Sequence, residues 1–280
     1  MNCYICGSTP QTHATVNGHT LHKCDRCQFI WVTSPITEEQ LRSFYTEKYF
    51  HSNTNIGYAN YIADEKNLRQ NASDLLATIF KTHKLSKNAR ILDVGCACGF
   101  LLDEAKAKYF AIPYGVEMSG FAYNYAIKKL CLENIYKNLS DSALQAESFD
   151  VAFLIGTIEH LIDPRSISQQ IFNLLKPGGI LAITTIDTKG WLPLYALKPP
   201  EHLMYFNHDN LARMLRDIGF VVTYRKTYFV QYQIYDLLHR LKEFSGWRLF
   251  DLIKRLLPSA LLNLNIRIPT NEMLVIAEKV

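Results

Sequence analysis

The 280-residue sequence has no long apolar run and little imbalance of charge. No stretch reaches the ~18 consecutive apolar residues that a membrane-spanning helix needs. The first ten residues lack the basic-then-apolar pattern of a secretion signal. Lysine and arginine number 30 against 26 aspartates and glutamates, and the net charge of +4 is too small to indicate a nucleic-acid-binding protein. These absences exclude a membrane channel and give no reason to expect a DNA partner.

Internal repeats and low-complexity tracts are also missing, which excludes collagen, coiled coil and solenoid architectures. Hydrophobic residues make up 48% of the chain and charged residues 20%, so the chain can bury a substantial core. The length predicts one core domain of roughly 150–200 residues with appendages.

The seven cysteines are an odd number for a disulfide framework, and four of them form two knuckles. Cys3 and Cys6 make one C-x2-C pair, and Cys24 and Cys27 make the second. Two such pairs present four thiolates to a tetrahedral zinc ion and leave no open position, so the spacing predicts a structural zinc site in residues 1–34. The polar segment between the pairs predicts a β-hairpin whose folding would depend on the metal.

The four cysteines could also be a chance grouping or two redox pairs, and three histidines (His13, His19 and His22) could substitute as ligands. Zinc thiolates favour a reducing compartment, so we expect a cytoplasmic protein. The remaining cysteines, Cys96, Cys98 and Cys131, are expected to be small packing residues.

Residues 35–84 predict a helical segment before the core. Thr37 and Gln40 fit a capping box at a helix start, and apolar residues at helical spacing predict an amphipathic helix over 64–84. Between them lie Tyr45, Tyr49, Tyr58 and Tyr61, which could form a lid over a ligand or pack beneath the helix.

From residue 85 to 230, short apolar strands alternate with helices of about ten residues. Strands are predicted at 89–94, 112–117, 149–155, 180–185 and 220–228, and a last strand at 273–277. This alternation predicts an α/β fold with a mostly parallel sheet and helices on both faces.

The first of these strands ends in Asp93 and runs into the turn Gly95-Cys-Ala-Cys-Gly99. The turn matches neither the dinucleotide spacing nor the phosphate loop, and Asp93 would repel a phosphate but attract an ammonium group. Glu117 ends the next strand, where an acid can accept hydrogen bonds from the two hydroxyls of a ribose. A nucleoside with a ribose, an amino group and no phosphate satisfies both acids, and S-adenosylmethionine matches that description.

Four further segments carry a resemblance to a known family: GVEMS at 115–119, FDVAFLIGTIEHLIDP at 149–164, LLKPGGILAITT at 174–185 and EHLMYFNHDNLARMLRDIGF at 201–220. Together with ILDVGCACGFLL at 91–102, they make residues 40–225 resemble class I S-adenosylmethionine-dependent methyltransferases. The resemblance implies a Rossmann-like seven-stranded sheet. It also implies a set of cofactor-binding residues: Asp93, Gly95, Cys96, Ala97, Gly99, Glu117, Met118, Asn138, Leu139, Gly156 and Thr157.

Two positions depart from the family pattern. Ala97 stands where most relatives have glycine, and its methyl group is tolerable if the backbone keeps φ negative. Asn138 stands where relatives usually have an aspartate that binds the adenine amine, and Asp141 is an alternative for that role.

An oxygen nucleophile needs a base, and histidine titrates nearest neutrality. His160 follows the fourth strand and His202 follows the fifth, so both are candidate bases, and Tyr205 is a third candidate. The alternative is that the histidines only satisfy backbone groups at helix starts. Asp163 is predicted to cap a helix.

Residues 231–262 predict a helical insertion before the last strand, with an apolar stripe, Trp247 and five basic residues. This composition fits contact with an anionic membrane surface, a homodimer interface, a substrate lid, or packing against the last strands.

Relatives that combine a four-cysteine knuckle with this domain resemble methyltransferases of sugar, polysaccharide and secondary-metabolite pathways. The resemblance implies O-methylation of a small molecule or glycan precursor. RNA methylation, C- or N-methylation, and a non-catalytic scaffold are the alternatives.

Overall fold

A computed structural model describes residues 2–33, 36–50, 61–190 and 197–280 of the chain. The described strands are β1 (Pro10–Val16), β2 (His19–Cys24), β3 (Ile30–Val32), β4 (Arg90–Val94), β5 (Ile112–Val116), β6 (Ile135–Tyr136), β7 (Phe149–Ile155), β8 (Leu175–Ile186), β9 (Met204–Tyr205), β10 (Phe220–Gln233) and β11 (Asn265–Lys279). They form a seven-stranded sheet and a four-stranded sheet.

The helices are α1 (Glu38–Phe44), α2 (Glu47–Phe50), α3 (Glu65–His83), α4 (Phe100–Tyr109), α5 (Gly120–Lys128), α6 (Pro164–Leu174), α7 (His208–Ile218), α8 (Ile234–Ser245), α9 (Leu249–Leu256) and α10 (Ser259–Leu262), with a short 3-10 turn at Ile158–His160. None of the described helices has the length and hydropathy to cross a bilayer.

The large sheet has the strand order β10-β11-β8-β7-β4-β5-β6. The pairs formed by β4, β5, β6, β7 and β8 are parallel, and β11 is antiparallel to both of its neighbours. This confirms the predicted mostly parallel α/β sheet. Because β4, β5 and β7 are parallel, the residues that follow them lie at one edge of the sheet.

The helices begin and end where the local chemistry predicts. The Thr37 side chain accepts from the Gln40 backbone amide at 3.1 Å, and the Gln40 side chain accepts from the Thr37 amide at 2.9 Å. Asp163 caps α6 by accepting from the Ser166 amide at 2.9 Å. The amphipathic helix predicted over 64–84 is α3, which buries Leu75, Leu76 and Ile79.

The cysteine-containing segment forms the hairpin that its composition predicts, with β1 antiparallel to β2. β3 then pairs with β2 on one side and with β9 on the other, through Ile30 opposite Tyr205 and Trp31 opposite Met204. Phe29, Ile30 and Trp31 are fully buried in this packing. A strand near the start of the chain is therefore joined to a segment after residue 200, which the sequence pattern does not predict.

Two expectations differ from the structure, and one is not tested by it. The strands predicted at 220–228 and 273–277 are longer, because β10 and β11 continue as a two-stranded ribbon past the last β8 pairing at Glu272. Cys131, which follows α5, is exposed rather than packed, whereas Cys96 and Cys98 are buried. Tyr58 lies outside the described residues.

Candidate functional site

The turn between β4 and α4 places backbone amides at the carboxyl edge of the sheet. Gly95 has φ +82° and Gly99, the N-cap of α4, has φ +85°, a region that favours glycine. The Gly95 amide donates to the Val116 carbonyl at 2.8 Å, which ties the turn to β5. A Cβ atom at Gly95 would lie 2.6 Å from the Thr157 hydroxyl, so the turn directly abuts the end of β7.

Ala97 corrects one expectation. Its φ is +47°, not negative, so the methyl group sits in the left-handed region that the glycine of relatives adopts freely. The Ala97 amide donates to the Glu117 carboxylate at 2.9 Å, and this bond helps to hold the strained residue.

Asp93 lies at the end of β4 with only 4% of its surface exposed. Its Oδ1 atom has no hydrogen-bond partner among the described residues. Burial, with the nearby Glu117 charge as the smaller cause, raises the pKa of Asp93 to about 7. A buried, unpartnered carboxylate oxygen is the group that a ligand cation would satisfy, and the ammonium of S-adenosylmethionine is such a cation.

Glu117 ends β5 and is held by two backbone donors. Its carboxylate accepts from the Ala97 amide at 2.9 Å and from the Ser119 amide at 2.6 Å. Burial raises the pKa of Glu117, while these amides and Lys137 oppose that rise. A carboxylate has about four acceptor positions, so two remain for the hydroxyls of a ribose.

The adenine side of the predicted site lies in more open loops. Met118 has 36% of its surface exposed beside Glu117, and Leu139 packs on the core from its own loop. Asn138 and Asp141 are both exposed, and the Asp141 carboxylate accepts from the Ala143 amide at 3.0 Å. Asp141 therefore stabilises its own loop, which favours Asn138 over Asp141 as the residue toward the adenine.

Gly156 and Thr157 follow β7 and border the glycine turn. Gly156 adopts φ +58°, and its amide donates to the Thr184 carbonyl at 3.0 Å. The 3-10 turn begins directly after Thr157 and carries Glu159 and His160. The end of β7 thus brings His160 to the same edge as Asp93 and Glu117.

The geometry fixes the tautomer of His160. Its Nδ1 atom lies 2.8 Å from the Glu201 carbonyl oxygen, which only accepts, so Nδ1 carries the proton. In the neutral ring Nε2 then has a lone pair that can accept a proton. Burial lowers the pKa of His160, which keeps the ring neutral at pH 7.

His202 packs edge-on against His160, with ring centroids 4.8 Å apart. It is buried, its Nδ1 has no partner among the described residues, and burial lowers the pKa of His202 well below its usual value. Tyr205 is placed differently: its buried hydroxyl accepts from the Lys198 amide at 2.8 Å and donates to the His202 carbonyl at 3.1 Å. Tyr205 therefore supports the loop that carries His202.

Two buried acids next to the histidines are missing from the sequence-based site. Glu159 accepts from the Thr185 hydroxyl at 2.9 Å, and burial raises the pKa of Glu159 to about 7. Glu201 accepts from the Tyr49 hydroxyl at 3.3 Å. The repeated Glu-His-Leu at 159–161 and 201–203 is the signal that points to both. Ligand atoms of Glu159, His160 and His202 lie within 4.8 Å of one another, so this group could also hold a metal ion.

The tyrosines of the predicted lid segment reach this cluster. Tyr45 contacts Tyr49 with ring centroids 4.9 Å apart and His160 with ring centroids 6.1 Å apart. Tyr49 is itself buried. These two residues pack against His160 and Glu201, and a lid over the ligand stays a prediction.

The four N-terminal cysteines converge. The sulfur atoms of Cys3 and Cys27 lie 3.5 Å apart, those of Cys6 and Cys24 lie 3.4 Å apart, and all four lie within 4.8 Å of one another. Zinc with Zn–S bonds of about 2.3 Å separates its tetrahedral sulfur ligands by about 3.8 Å. The donor set and spacing fit such an ion. His13, His19 and His22 are not part of the cluster in the described residues.

Comparisons with known proteins match this geometry. A family model described as a methyltransferase domain matches residues 65–225, more than half of the chain. The ubiquinone biosynthesis O-methyltransferase of Neisseria meningitidis serogroup C (strain 053442) is 31% identical over 176 residues, which cover 55% of this chain and 74% of that protein. The protein of that name from Histophilus somni (strain 2336) is 36% identical over 118 residues, which cover 36% of this chain and 48% of that protein.

Solved structures share the fold at low sequence identity. A SAM-dependent methyltransferase of Thermotoga maritima aligns with a TM-score of 0.51 at 17% identity, covering 79% of this chain and 93% of that chain. The [4+2]-cyclase SpnF aligns with a TM-score of 0.52 at 17% identity, covering 74% and 80%. Both show the Rossmann-like fold, which by itself does not fix the chemistry.

Proposed function

This chain belongs to the methyltransferase-domain family and is an S-adenosylmethionine-dependent methyltransferase, and we propose that it methylates a hydroxyl oxygen of a small molecule. The observation that supports an oxygen acceptor is the neutral His160, whose Nδ1 donates to the Glu201 carbonyl at 2.8 Å and leaves Nε2 as a base. The cofactor supplies an electrophilic methyl group on a sulfonium. An acceptor hydroxyl is a weak nucleophile until a base takes its proton.

The residues that would hold the cofactor are those gathered at the edge of the sheet. Asp93 would bind the ammonium, which would give its Oδ1 atom a hydrogen-bond donor, and Glu117 would bind the ribose hydroxyls. The turn from Gly95 to Gly99 would lie against the methionine portion, and its two glycines adopt the positive φ that the tight turn requires. Burial of Asp93 and Glu117 excludes water and strengthens both interactions.

His160 would act on the acceptor. When the methyl carbon exchanges its bond to the sulfonium sulfur for one to the acceptor oxygen, leaving a neutral thioether, the proton of that oxygen would pass to Nε2 of His160, and the Glu201 carbonyl would stabilise the ring through Nδ1–H. His202 and Tyr45 pack around His160 and restrict the orientation of its ring. Positioned general bases of this kind contribute about 10²–10⁴-fold to a rate.

We propose a phenolic or sugar-type hydroxyl as the acceptor group. The curated relatives carry the name ubiquinone biosynthesis O-methyltransferase, which supports a small-molecule hydroxyl. A glycan precursor offers the same group, and the two acceptors differ in acidity: a phenol titrates near pH 10, whereas a sugar hydroxyl depends more strongly on the base.

The test is a transfer assay with methyl-labelled cofactor and fractionated extract, separated into polysaccharide, lipid, RNA and small-molecule fractions. The proposal expects label in a small-molecule or glycan fraction, as a methyl ether that resists mild base. Label only in RNA, or on nitrogen or carbon, would refute it. His160→Gln should slow labelling about 10²–10⁴-fold while S-adenosylhomocysteine still binds, which separates loss of the base from loss of the fold.

We also propose that Cys3, Cys6, Cys24 and Cys27 bind one structural zinc ion. The four sulfur atoms within 4.8 Å support it. The exposed and half-buried side chains of β1 support it as well, because they give the hairpin little apolar core of its own. Metal analysis should give one zinc per chain. A protein purified without chelators that contains no metal would refute the assignment.

The zinc module would also support the acceptor side of the active site. The Val32 amide donates to the Leu203 carbonyl at 2.9 Å, one residue from His202. The side chains of Asn207 and Asn210 donate to the Cys27 carbonyl at 3.4 and 3.3 Å. The metal would therefore fix the knuckle against which the 201–210 segment packs.

A further inference from the structure

Methyl transfer does not explain an apolar surface on the helices that follow the tip of the β10–β11 ribbon. Its members are Trp247, Leu249, Leu252 and Leu256, with 64%, 51%, 52% and 73% of their surfaces exposed. Scattered single hydrophobic residues are ordinary on protein surfaces, but a contiguous group marks an interaction site. We call these four residues the α9 surface.

The three leucines lie on one face of α9. Positions 249, 252 and 256 are spaced i, i+3 and i+7, which places them in one stripe along the helix. Helix α9 has no buried residue, so this stripe does not complete the described core.

Cations border the stripe. Arg248 and Arg255 are exposed and lie four residues before and three residues after Leu252, so both flank the leucines. The one acid of α9, Asp251, is paired with Lys242 at 2.7 Å and Lys254 at 3.2 Å. These bonds leave the border of the stripe positively charged.

We propose that the α9 surface binds an anionic lipid bilayer as an interfacial helix. Exposed leucines and a tryptophan bordered by arginines match the requirements of such a helix, which inserts its apolar face at headgroup depth while the cations meet lipid phosphates. Among the described side chains of 247–256, Asp251 is the one acid and is already paired, so a second copy that met this surface face to face would not neutralise the two arginines.

The topology places the α9 surface at the active-site edge of the sheet. β10 is antiparallel to β11, which is antiparallel to β8, so β10 runs parallel to β4 and β7. The carboxyl end of β10 therefore points to the same edge as Asp93 and Thr157, and α8, α9 and α10 continue from it. α3 anchors the ribbon, because the Asn71 side chain bonds both backbone groups of Gln231.

The experiment is vesicle co-sedimentation of the full chain, with phosphatidylcholine vesicles and with vesicles of equal parts phosphatidylcholine and phosphatidylglycerol. We expect binding to the anionic vesicles only, weakened by salt. Arg248→Gln and Arg255→Gln should each weaken binding about fivefold. Leu252→Gln combined with Leu256→Gln should abolish it, whereas Val221→Gln and Lys106→Glu, exposed changes elsewhere, should not.

Tryptophan fluorescence in a Trp191→Phe background gives an independent readout, because, of the two tryptophans that remain, Trp31 is fully buried and Trp247 is exposed. Anionic vesicles should shift the emission to the blue, and Trp247→Phe should remove that shift. Thermal unfolding checks that each variant is folded. Failure to bind anionic vesicles, equal binding to neutral ones, or a dimer that dissociates in the leucine variant would each overturn the proposal, the last in favour of self-association. None of these readouts depends on methyl transfer.

Discussion

Replacing Asp93 with asparagine should stabilise the ligand-free protein and abolish cofactor binding, two effects of opposite sign. Burial raises the pKa of Asp93 from 3.8 to about 7, so ionising it disfavours the folded state. The corresponding loss of stability is absent below about pH 4, grows between pH 4 and 7, and is complete above pH 7. At about 1.4 kcal/mol for each pH unit in that interval, the loss in the free energy of unfolding reaches on the order of 4 kcal/mol.

Asparagine keeps the shape of the side chain and removes the charge. At about 2–4 °C per kcal/mol, we expect the Tm of Asp93→Asn at pH 8 to rise by about 8–16 °C. The rise should shrink toward pH 4, where the parent carboxyl is itself neutral. Asp150→Asn is the matched control, because Asp150 pairs with Lys176 at 2.6 Å and accepts from the Arg90 amide at 2.8 Å. That variant should lose stability.

Calorimetric titration with S-adenosylhomocysteine, which carries the ammonium and the ribose, measures the second effect. Binding to the parent should weaken about tenfold between pH 8 and pH 6, because the ammonium selects the ionised carboxylate. Asp93→Asn should bind at least about 100-fold more weakly and without this pH dependence. A variant that melts lower than the parent and binds the ligand equally well at both pH values would refute the reasoning.

Three further changes test the rest of the site. His160→Gln should lower kcat about 10²–10⁴-fold and remove the acidic limb of the pH–rate profile. In the parent that limb lies below pH 6.5, because burial lowers the pKa of His160. An unchanged limb would show that another group titrates there. At Gly95, φ is +82° and an added Cβ atom would lie 2.6 Å from Thr157, so Gly95→Ala should lower the free energy of unfolding by at least about 1–2 kcal/mol and weaken cofactor binding. Gly120 faces open space, so Gly120→Ala should leave the stability in chemical denaturation unreduced. Cys24→Ser should release the zinc and speed hydrogen exchange at the Val32 amide, and unchanged protection there would separate the zinc module from the acceptor loop.

The sheet and the cofactor edge were predictable because their signals are local. A strand that ends in Asp93 and runs into a glycine turn places amides and an acid in one spot, and the 24-residue separation of Asp93 and Glu117 spans one helix and one strand. Each of these signals depends only on strands and helices that are neighbours along the chain. The cluster of His160 with His202 was predictable in part, from the repeated Glu-His-Leu.

The remaining features depend on contacts between distant segments. Nothing in the sequence near Ile30 or Tyr205 shows that β3 pairs with β9, because both are short apolar stretches that fit many partners. Ala97 adopts a positive φ while its amide donates to Glu117, twenty residues away, and a local preference for negative φ cannot anticipate that contact. Glu159 and Glu201 likewise accept hydrogen bonds from partners far along the chain, the hydroxyls of Thr185 and Tyr49.

The pairing of β3 with β9 also constrains the order of assembly during synthesis. The hairpin of β1 and β2 contains only neighbouring residues and can form as soon as it leaves the ribosome, in the presence of metal. The outer edge of β3, at Trp31, stays uncovered until residues 203–210 have been translated. During that delay, the aromatic edge that the folded protein buries is exposed to solvent in the nascent chain. A ribosome stalled before Tyr205 would keep this edge exposed, in the form most prone to aggregate.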